Sequence, residues 1–147
     1  MRKEAPMGVL SSRPSPGAVL TSISGEEMAQ LVREEGYSAE LDRDSRGDPM
    51  IRFQVAGYTC LLFFYGVQDD RADSLQFRAA FRENVPIEKV NEWNRRKRFL
   101  KVYLDEDGDL NMDMDVDLEG GVTRDYLLER VRTWRAAFLA CVRFLAG

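Results

Sequence analysis

The chain has 147 residues, a formal net charge of −4 and an isoelectric point near 5.0. This length favours one domain with a sizeable core, and the acidic balance argues against a dedicated nucleic-acid binder, which usually carries a basic excess. The sequence contains no histidine, which excludes Ser-His-Asp and Cys-His catalysis and His-based zinc sites. Cys60 and Cys141 each lie in an apolar run, as buried free thiols do. Composition therefore predicts a protein that is not an enzyme and holds no metal or cofactor.

The first 19 residues show no apolar periodicity and concentrate Ser, Pro and Gly between Ser11 and Gly17. We predict a flexible tail over 1–19, followed by a single domain over 20–147. The start of the chain lacks the apolar segment of a signal peptide, and the longest uncharged apolar run, 55–67, is too short to span a membrane as a helix. These features predict a cytoplasmic protein that does not enter the membrane.

The next part of the chain is predicted to form a helix followed by four strands of a meander. Ser24 and Glu27 fit a capping box at the helix start, and Gly36 ends the helix. Three of the strands alternate apolar and polar residues, as half-buried strands do, over 37–42, 51–55 and 75–82. The remaining strand, Tyr58–Tyr65, is apolar on both faces, which is typical of a central strand.

Two further helices are predicted on either side of a hairpin. Pro86 fits the first turn of one helix, and the basic run 95–98 fits its negative end. After Gly120-Gly121 breaks the preceding strand, Thr123 is predicted to cap a long helix that reaches about Ala146. Apolar residues recur along this last helix at spacings of three and four, so it is predicted to cover the sheet.

The hairpin is predicted from two alternating runs, 99–104 and 110–118. They share a core face only if an odd number of residues joins them, and the loop 106–108 satisfies this with a glycine where the left-handed conformation is needed. This register places Lys101 opposite Asp113 on an exposed outer face. The sequence therefore predicts an α+β fold with one antiparallel sheet, a meander plus a hairpin, and helices packed on one face.

Clustered carboxylates around the hairpin raise the alternative of a metal or acid–base site. The loop 105–109 resembles the start of an EF-hand, but the sixth position is Leu110 instead of glycine and the twelfth is Val116 instead of glutamate. Asp113 and Asp115 project from one strand face ~6.5–7 Å apart, with no histidine or apolar pocket to shift a pKa. A solvated face is the favoured interpretation, and a carboxylate-based site on this strand is the second alternative.

The basic run 95–98 lies between two aromatic residues, Trp93 and Phe99, and such a run could hold phosphates or stack on bases. The favoured interpretation is a helix end whose charges complement the helix dipole, with Trp93 in the core. Asn91 and Asn94 are predicted to bond backbone groups at the helix-to-strand junction. A nucleic-acid-binding regulator that uses the basic run is the first alternative function.

Both side-chain sets of the strand Tyr58–Tyr65 are apolar, so one set faces away from the helices whatever the register. A two-residue turn at 56–57 puts the odd-numbered set outside, and a loop of odd length exchanges the two sets. The odd-numbered set comprises Leu61, Phe63 and Tyr65. Because an apolar patch ringed by charge is typical of a protein contact, we predict that these residues form a homodimer or client-binding surface.

Over about residues 20–145 the chain resembles the YbjN family, which is bacterial and described as sensory transduction regulators. The most specific segments are Asn-Glu-Trp-Asn at 91–94 and Gly-Gly at 120–121, supported by Ser-Leu-Gln-Phe at 74–77. The resemblance implies a fold like that of type III secretion chaperones, homodimerisation and protein binding, with no catalytic residues to carry over. The resulting hypothesis is a non-enzymatic regulatory or chaperone-like domain whose protein partner the sequence does not identify.

Overall fold

The computed structural model describes residues 17–147, so the predicted tail lies outside the described residues up to residue 16. The described part contains three helices, α1 (Gly25–Glu34), α2 (Ile87–Arg96) and α3 (Arg124–Ala146). Its ten strands are β1 (Val19–Leu20), β2 (Ile23–Ser24), β3 (Glu40–Arg43), β4 (Pro49–Val55), β5 (Tyr58–Tyr65), β6 (Arg71–Ala72), β7 (Ser74–Phe81), β8 (Lys101–Leu104), β9 (Leu110–Asp117) and β10 (Val122–Thr123). The first strand thus begins one residue before the predicted start of the domain.

Six strands form one antiparallel sheet in the order β3-β4-β5-β7-β9-β8. The first four follow one another as a meander, and the hairpin adds β9 next to β7 and β8 at the edge. The predicted register is confirmed, since Lys101 pairs with Asp113 and Leu104 pairs with Leu110. The predicted α+β architecture is therefore confirmed, whereas the likeness to type III secretion chaperones stays a prediction.

The two longer hairpin turns of the sheet share one sequence pattern, Asp-x-x-Gly-Asp, at 44–48 and 105–109. In each turn the N–H of the first aspartate donates to the C=O of the last one, and the glycine N–H donates back to the first C=O, all at 2.9 Å. The first carboxylate accepts the N–H groups of the third and fifth residues. Gly108 has a φ of +81°, which confirms the predicted left-handed position.

Replacing Asp44 and Asp105 together by asparagine should make the free energy of unfolding less dependent on pH in the acid range. A hydrogen bond from Arg46 lowers the pKa of Asp44 from its usual 3.8, and the N–H of Asp109 contributes most to the lowered pKa of Asp105. A lowered folded-state pKa gives stability that is present above the unfolded-state value and is lost as the pH falls through the folded-state value. We expect urea midpoints of the wild type to fall more steeply below about pH 4. The same pH dependence of the urea midpoint in the wild type and the variant would contradict this account.

A two-residue turn joins β4 to β5 and decides which side chains of β5 face the core. Val55 pairs with Tyr58, and the intervening Ala56 and Gly57 have φ values of +51° and +86°, as the hairpin turns that suit twisted strands require. The even-numbered side chains of β5 from residue 60 onward are fully buried. The odd-numbered set therefore lies on the opposite face.

All three helices contribute to one buried cluster with the inward side chains of the sheet. Trp134 of α3 stacks on Phe77 of β7 at a ring-centroid distance of 5.5 Å and on Phe138 at 5.4 Å. The predicted stripe of α3 is confirmed, since its main positions are each at most 1% exposed: Leu127, Val131, Trp134, Phe138 and Cys141. The helices of the described part thus cover one face of the sheet and leave the other open.

Candidate protein-interaction surfaces

The open face of the sheet carries the three residues that were predicted to bind a partner. Leu61, Phe63 and Tyr65 point away from the core and are half-buried. Two guanidinium groups lie across them, that of Arg78 at 5.3 Å from the Phe63 ring centroid and that of Arg46 at 4.6 Å from the Tyr65 ring centroid. The apolar stripe is therefore less exposed than the alternation predicts, and its role as a contact surface stays a prediction.

Asp113 is only 2% exposed although it lies on this open face, so the prediction of a solvated charge pair with Lys101 is wrong. Arg78 Nε donates to Asp113 Oδ1 at 3.1 Å, and the Tyr103 hydroxyl donates to Oδ2 at 2.9 Å. Long side chains from β7 and β8 thus lie flat across β9 and keep water from the carboxylate. Burial, followed by the hydrogen bond to Asp113, raises the pKa of Tyr103.

The same network includes both carboxylates of the predicted metal or acid–base alternative. Gln76 accepts a hydrogen bond from Arg78 at 2.8 Å and donates one to Asp115 at 2.9 Å. Asp113 and Asp115 are therefore each held by a donor on β7. Their carboxylates serve a cross-strand network that ties β7 to β9.

A separate group of acidic side chains lies at the tip of the hairpin. Asp105, Asp107 and Asp109 bring carboxylate oxygens within 4.8 Å of one another. The Asp105 carboxylate accepts two backbone N–H groups of its own turn and the side-chain amide of Asn111 at 3.0 Å. The hydrogen bonds of the turn account for this carboxylate, and all three aspartates precede the strand to which the carboxylate-based site was assigned.

The segment 91–94 fixes the connection from α2 to β8. The buried indole of Trp93 donates to the C=O of Leu100 at 2.9 Å. The Asn94 amide donates to the C=O of Val102 at 2.8 Å and accepts its N–H at 3.0 Å. The predictions for Trp93 and Asn94 are confirmed, whereas Asn91 makes no such bond within residues 17–147. Because Asn94 occupies both backbone groups of Val102, it also covers the centre of the edge strand.

A groove of about 510 Å³ lies between the end of α2 and α3. Three alanines of α3 form its floor together with the ring of Trp93: Ala136, Ala137 and Ala140. Lys97 and Arg98 line the side formed by the end of the basic run, and Arg132 lines the other. Of the remaining basic run, Arg96 pairs with Glu92 at 2.7 Å. Two of the four residues of the basic run, Lys97 and Arg98, therefore line the groove.

Phe99, which the sequence predicted as the first residue of a strand beside the basic run, is instead an exposed side chain of this surface. It is 58% exposed with a φ of +77°, and the Leu100 N–H donates to the Arg98 C=O at 3.0 Å across it, as in a γ-turn. β8 consequently begins at Lys101, not at residue 99 as predicted. The guanidinium groups of Arg98 and Arg130 lie 4.9 and 5.8 Å from the ring centroid. The one sequence signal was an aromatic residue directly after a basic run.

Both cysteines are buried free thiols, as predicted. Burial raises the pKa of Cys60 to about 11 and that of Cys141 to about 12. At neutral pH each side chain is therefore the neutral thiol, which is neither a good nucleophile nor a good metal ligand. Both thiols act as small apolar core residues.

The described residues form an antiparallel α+β domain with three helices on one face of a six-stranded sheet. The model of the YbjN family, described as "putative bacterial sensory transduction regulator", matches residues 24–146. The chain therefore belongs to the YbjN family, and the family resemblance is confirmed. A search of curated proteins gives no match.

Two solved structures share the fold at low sequence identity. The crystal structure of YbjN from E. coli, called a putative transcription regulator, has a TM-score of 0.60 at 14% identity and covers 84% of this chain and 91% of that one. An uncharacterized protein from Methanothermobacter thermautotrophicus has a TM-score of 0.55 at 13% identity and covers 81% of this chain and 94% of that one. Both similarities extend over most of each chain, so the described domain has the same overall fold as these proteins.

The helices of residues 17–147 are too short or too polar to cross a bilayer. The 23-residue helix α3 has the length of a membrane span, but it carries five arginines. The cytoplasmic location stays a prediction.

Proposed function

We propose that this chain is a non-enzymatic regulator that acts by binding proteins, and that it pairs with a second copy of itself through the open sheet face. The observation that supports this is one row of outward side chains that crosses all six strands in register. The row reads Glu40, Arg52, Leu61, Arg78, Asp113 and Lys101. When a second copy of this row is laid against it in the opposite direction, the acidic end of each row faces the basic end of the other.

A dimer with a two-fold axis requires such a pattern. Residue i of one copy contacts residue j of the other, and residue j of the first copy then contacts residue i of the second. An axis between β5 and β7 sets Glu40 against Lys101 of the second copy. Arg52 then lies over the second copy's Asp113, whose carboxylate Arg78 and Tyr103 already cover, so the two end contacts carry the charge complementarity. Three of the six strands are eight residues long, one is seven and the two edge strands are four. At ~3.4 Å per residue and ~4.8 Å between strands they cover about 600 Å² per copy, close to the ~800 Å² of a standard interface. Leu61 and Phe63 then lie near the axis, where water is excluded.

Charge exchange at the ends of the row tests this arrangement. Glu40 and Lys101 are both exposed, so substitutions there leave the fold intact. Glu40→Lys or Lys101→Glu alone creates two like-charge contacts per dimer, and we expect each to raise the dissociation constant about tenfold in sedimentation equilibrium. The double variant restores both contacts and should recover wild-type association.

A second variant tests the centre of the surface. Leu61→Lys with Phe63→Glu should give a monomer whose circular dichroism matches the wild type, whereas Arg95→Glu, on the exposed side of α2, should leave association unchanged. A wild type that is monomeric up to about 100 μM, which corresponds to association weaker than ~5 kcal/mol, would overturn the dimer. Failure of the charge exchange to restore association would overturn the proposed axis.

A further inference from the structure

The groove between α2 and α3 is bordered by an aromatic side chain that the fold holds in a strained conformation. A bulky residue at a φ of +77° is an outlier, and the γ-turn that places Phe99 there is rare. Hydrogen bonds across the turn maintain this conformation. Trp93 and Asn94, which precede Phe99, bond the backbone of Leu100 and Val102, which follow it. The effect is that the Phe99 ring stays exposed at the border of an apolar floor. Strain that surrounding contacts maintain is typical of functional sites.

The surroundings of the groove are cationic although the whole chain is acidic. The charged side chains that line it are Lys97, Arg98, Arg132 and Glu129, three cations to one anion, while the formal net charge of the chain is −4. Lys97 and Arg98 have no ion-pair partner within residues 17–147. Arg132 is exposed and pairs with Glu35 at 2.9 Å and with Glu129 at 3.1 Å. The groove therefore offers two uncompensated positive charges beside an uncharged floor.

We infer that this groove binds an acidic amphipathic helix of a partner protein, with Phe99 as the anchoring side chain. The alanine floor lets a helix approach α3 closely, and an apolar face laid into such a groove is a common mode of helix recognition. Lys97 and Arg98 then meet the acidic side of the bound helix, which favours its capture and sets its orientation. Aromatic and arginine side chains are also the residues that most often dominate the binding energy of interfaces. This site is independent of the open sheet face.

Fluorescence anisotropy with two designed peptides tests the inference on the full chain. The probe is a fluorescein-labelled helix of about 18 residues, roughly 27 Å long, with leucines on one face and glutamates on the other. The control peptide has lysines in place of the glutamates. We expect the acidic peptide to bind at least about tenfold more tightly in low salt, and this preference to shrink as salt is added. Equal affinity for both peptides, or no binding of the acidic one, would overturn the inference.

Variants locate the binding on the protein. Lys97→Glu with Arg98→Glu should weaken binding of the acidic peptide about tenfold or more, and Ala136→Trp should weaken it by occupying the floor. Arg95→Glu changes a nearby charge outside the groove and serves as the matched control. Loss of affinity in Arg95→Glu equal to that in the groove variants would show general charge attraction and would overturn the site.

Phe99→Gly separates a binding role from a structural one. Glycine adopts a positive φ without strain, so we expect a melting midpoint that is unchanged or about 2–4 °C higher, together with an affinity for the acidic peptide about tenfold lower. A lower midpoint with unchanged affinity would make Phe99 a structural residue and overturn its assignment as anchor.

A nucleic-acid ligand is the competing occupant of the groove, and the same assay detects it. A fluorescein-labelled single strand of about twelve thymidines, the length that one basic groove covers, is titrated in parallel. Binding of this strand that Lys97→Glu with Arg98→Glu abolishes, without binding of the acidic peptide, would overturn the helix in favour of nucleic acid. Displacement of the acidic peptide by unlabelled peptide but not by the strand would support the inference.

Discussion

Arg78→Met is expected to lower the free energy of unfolding by about 3 kcal/mol, measured by urea unfolding at neutral pH. Methionine keeps part of the apolar stem that lies over Phe63, but it removes the cation that faces Asp113 at 3.1 Å. The Asp113 carboxylate is 2% exposed and would retain one side-chain donor, the Tyr103 hydroxyl. A buried charge that loses its partner is costly because water cannot replace the lost contact.

Two controls separate the buried pair from the loss of a surface charge. Arg52→Met changes the same row on β4, where the ion pairs with Glu40 and Asp42 are long, at 3.8 and 3.7 Å, and it should cost less than about 1 kcal/mol. Arg78→Met with Asp113→Leu removes both charges and should recover most of the stability. Equal losses for Arg78→Met and Arg52→Met, measured at one protein concentration, would contradict the burial argument.

Trp134→Ala is expected to cost about 4 kcal/mol, the largest effect of any single change proposed for this chain. The indole is fully buried and lies between Phe77 of β7 and Phe138 of α3, so its loss opens a cavity where α3 meets the sheet. For a domain of this length the melting midpoint should fall by about 8–16 °C, as followed by circular dichroism.

Two control variants on α3 define the scale of this effect: one keeps an aromatic ring in the core, and the other removes a ring from the surface. Trp134→Phe retains stacking on both neighbours and should cost less than half as much as the alanine variant. Tyr126→Ala removes a ring that is 40% exposed on the same helix, with an expected cost of about 1 kcal/mol or less. A Trp134→Ala loss no larger than that of Tyr126→Ala would mean that α3 does not anchor the sheet through this residue.

Local pattern was sufficient to predict the main strands of the sheet and the register of its hairpin. The period of two in 110–118 assigns every second side chain to one face, and the odd loop length then leaves a single register, which is the observed one. The capping box of α1 was equally local, with Ser24 and Glu27 exchanging hydrogen bonds at 3.0 and 3.1 Å. The Asp-x-x-Gly-Asp pattern that the two turns repeat is likewise local, since its hydrogen bonds lie within five consecutive residues.

Tertiary contacts decided the features that matter for binding. Alternation showed only that Asp113 faces away from the core, whereas its burial comes from Arg78, which is 35 residues away in sequence. The groove exists because α2 and α3 pack side by side, and the strained backbone of Phe99 follows from bonds that Trp93 and Asn94 make to residues seven and eight positions further on. By itself the sequence therefore determined which face is apolar in the strands that alternate, because successive side chains of a pleated strand point to opposite faces. Which polar side chains are buried and which aromatic stays exposed depended on neighbours that only the folded chain brings together.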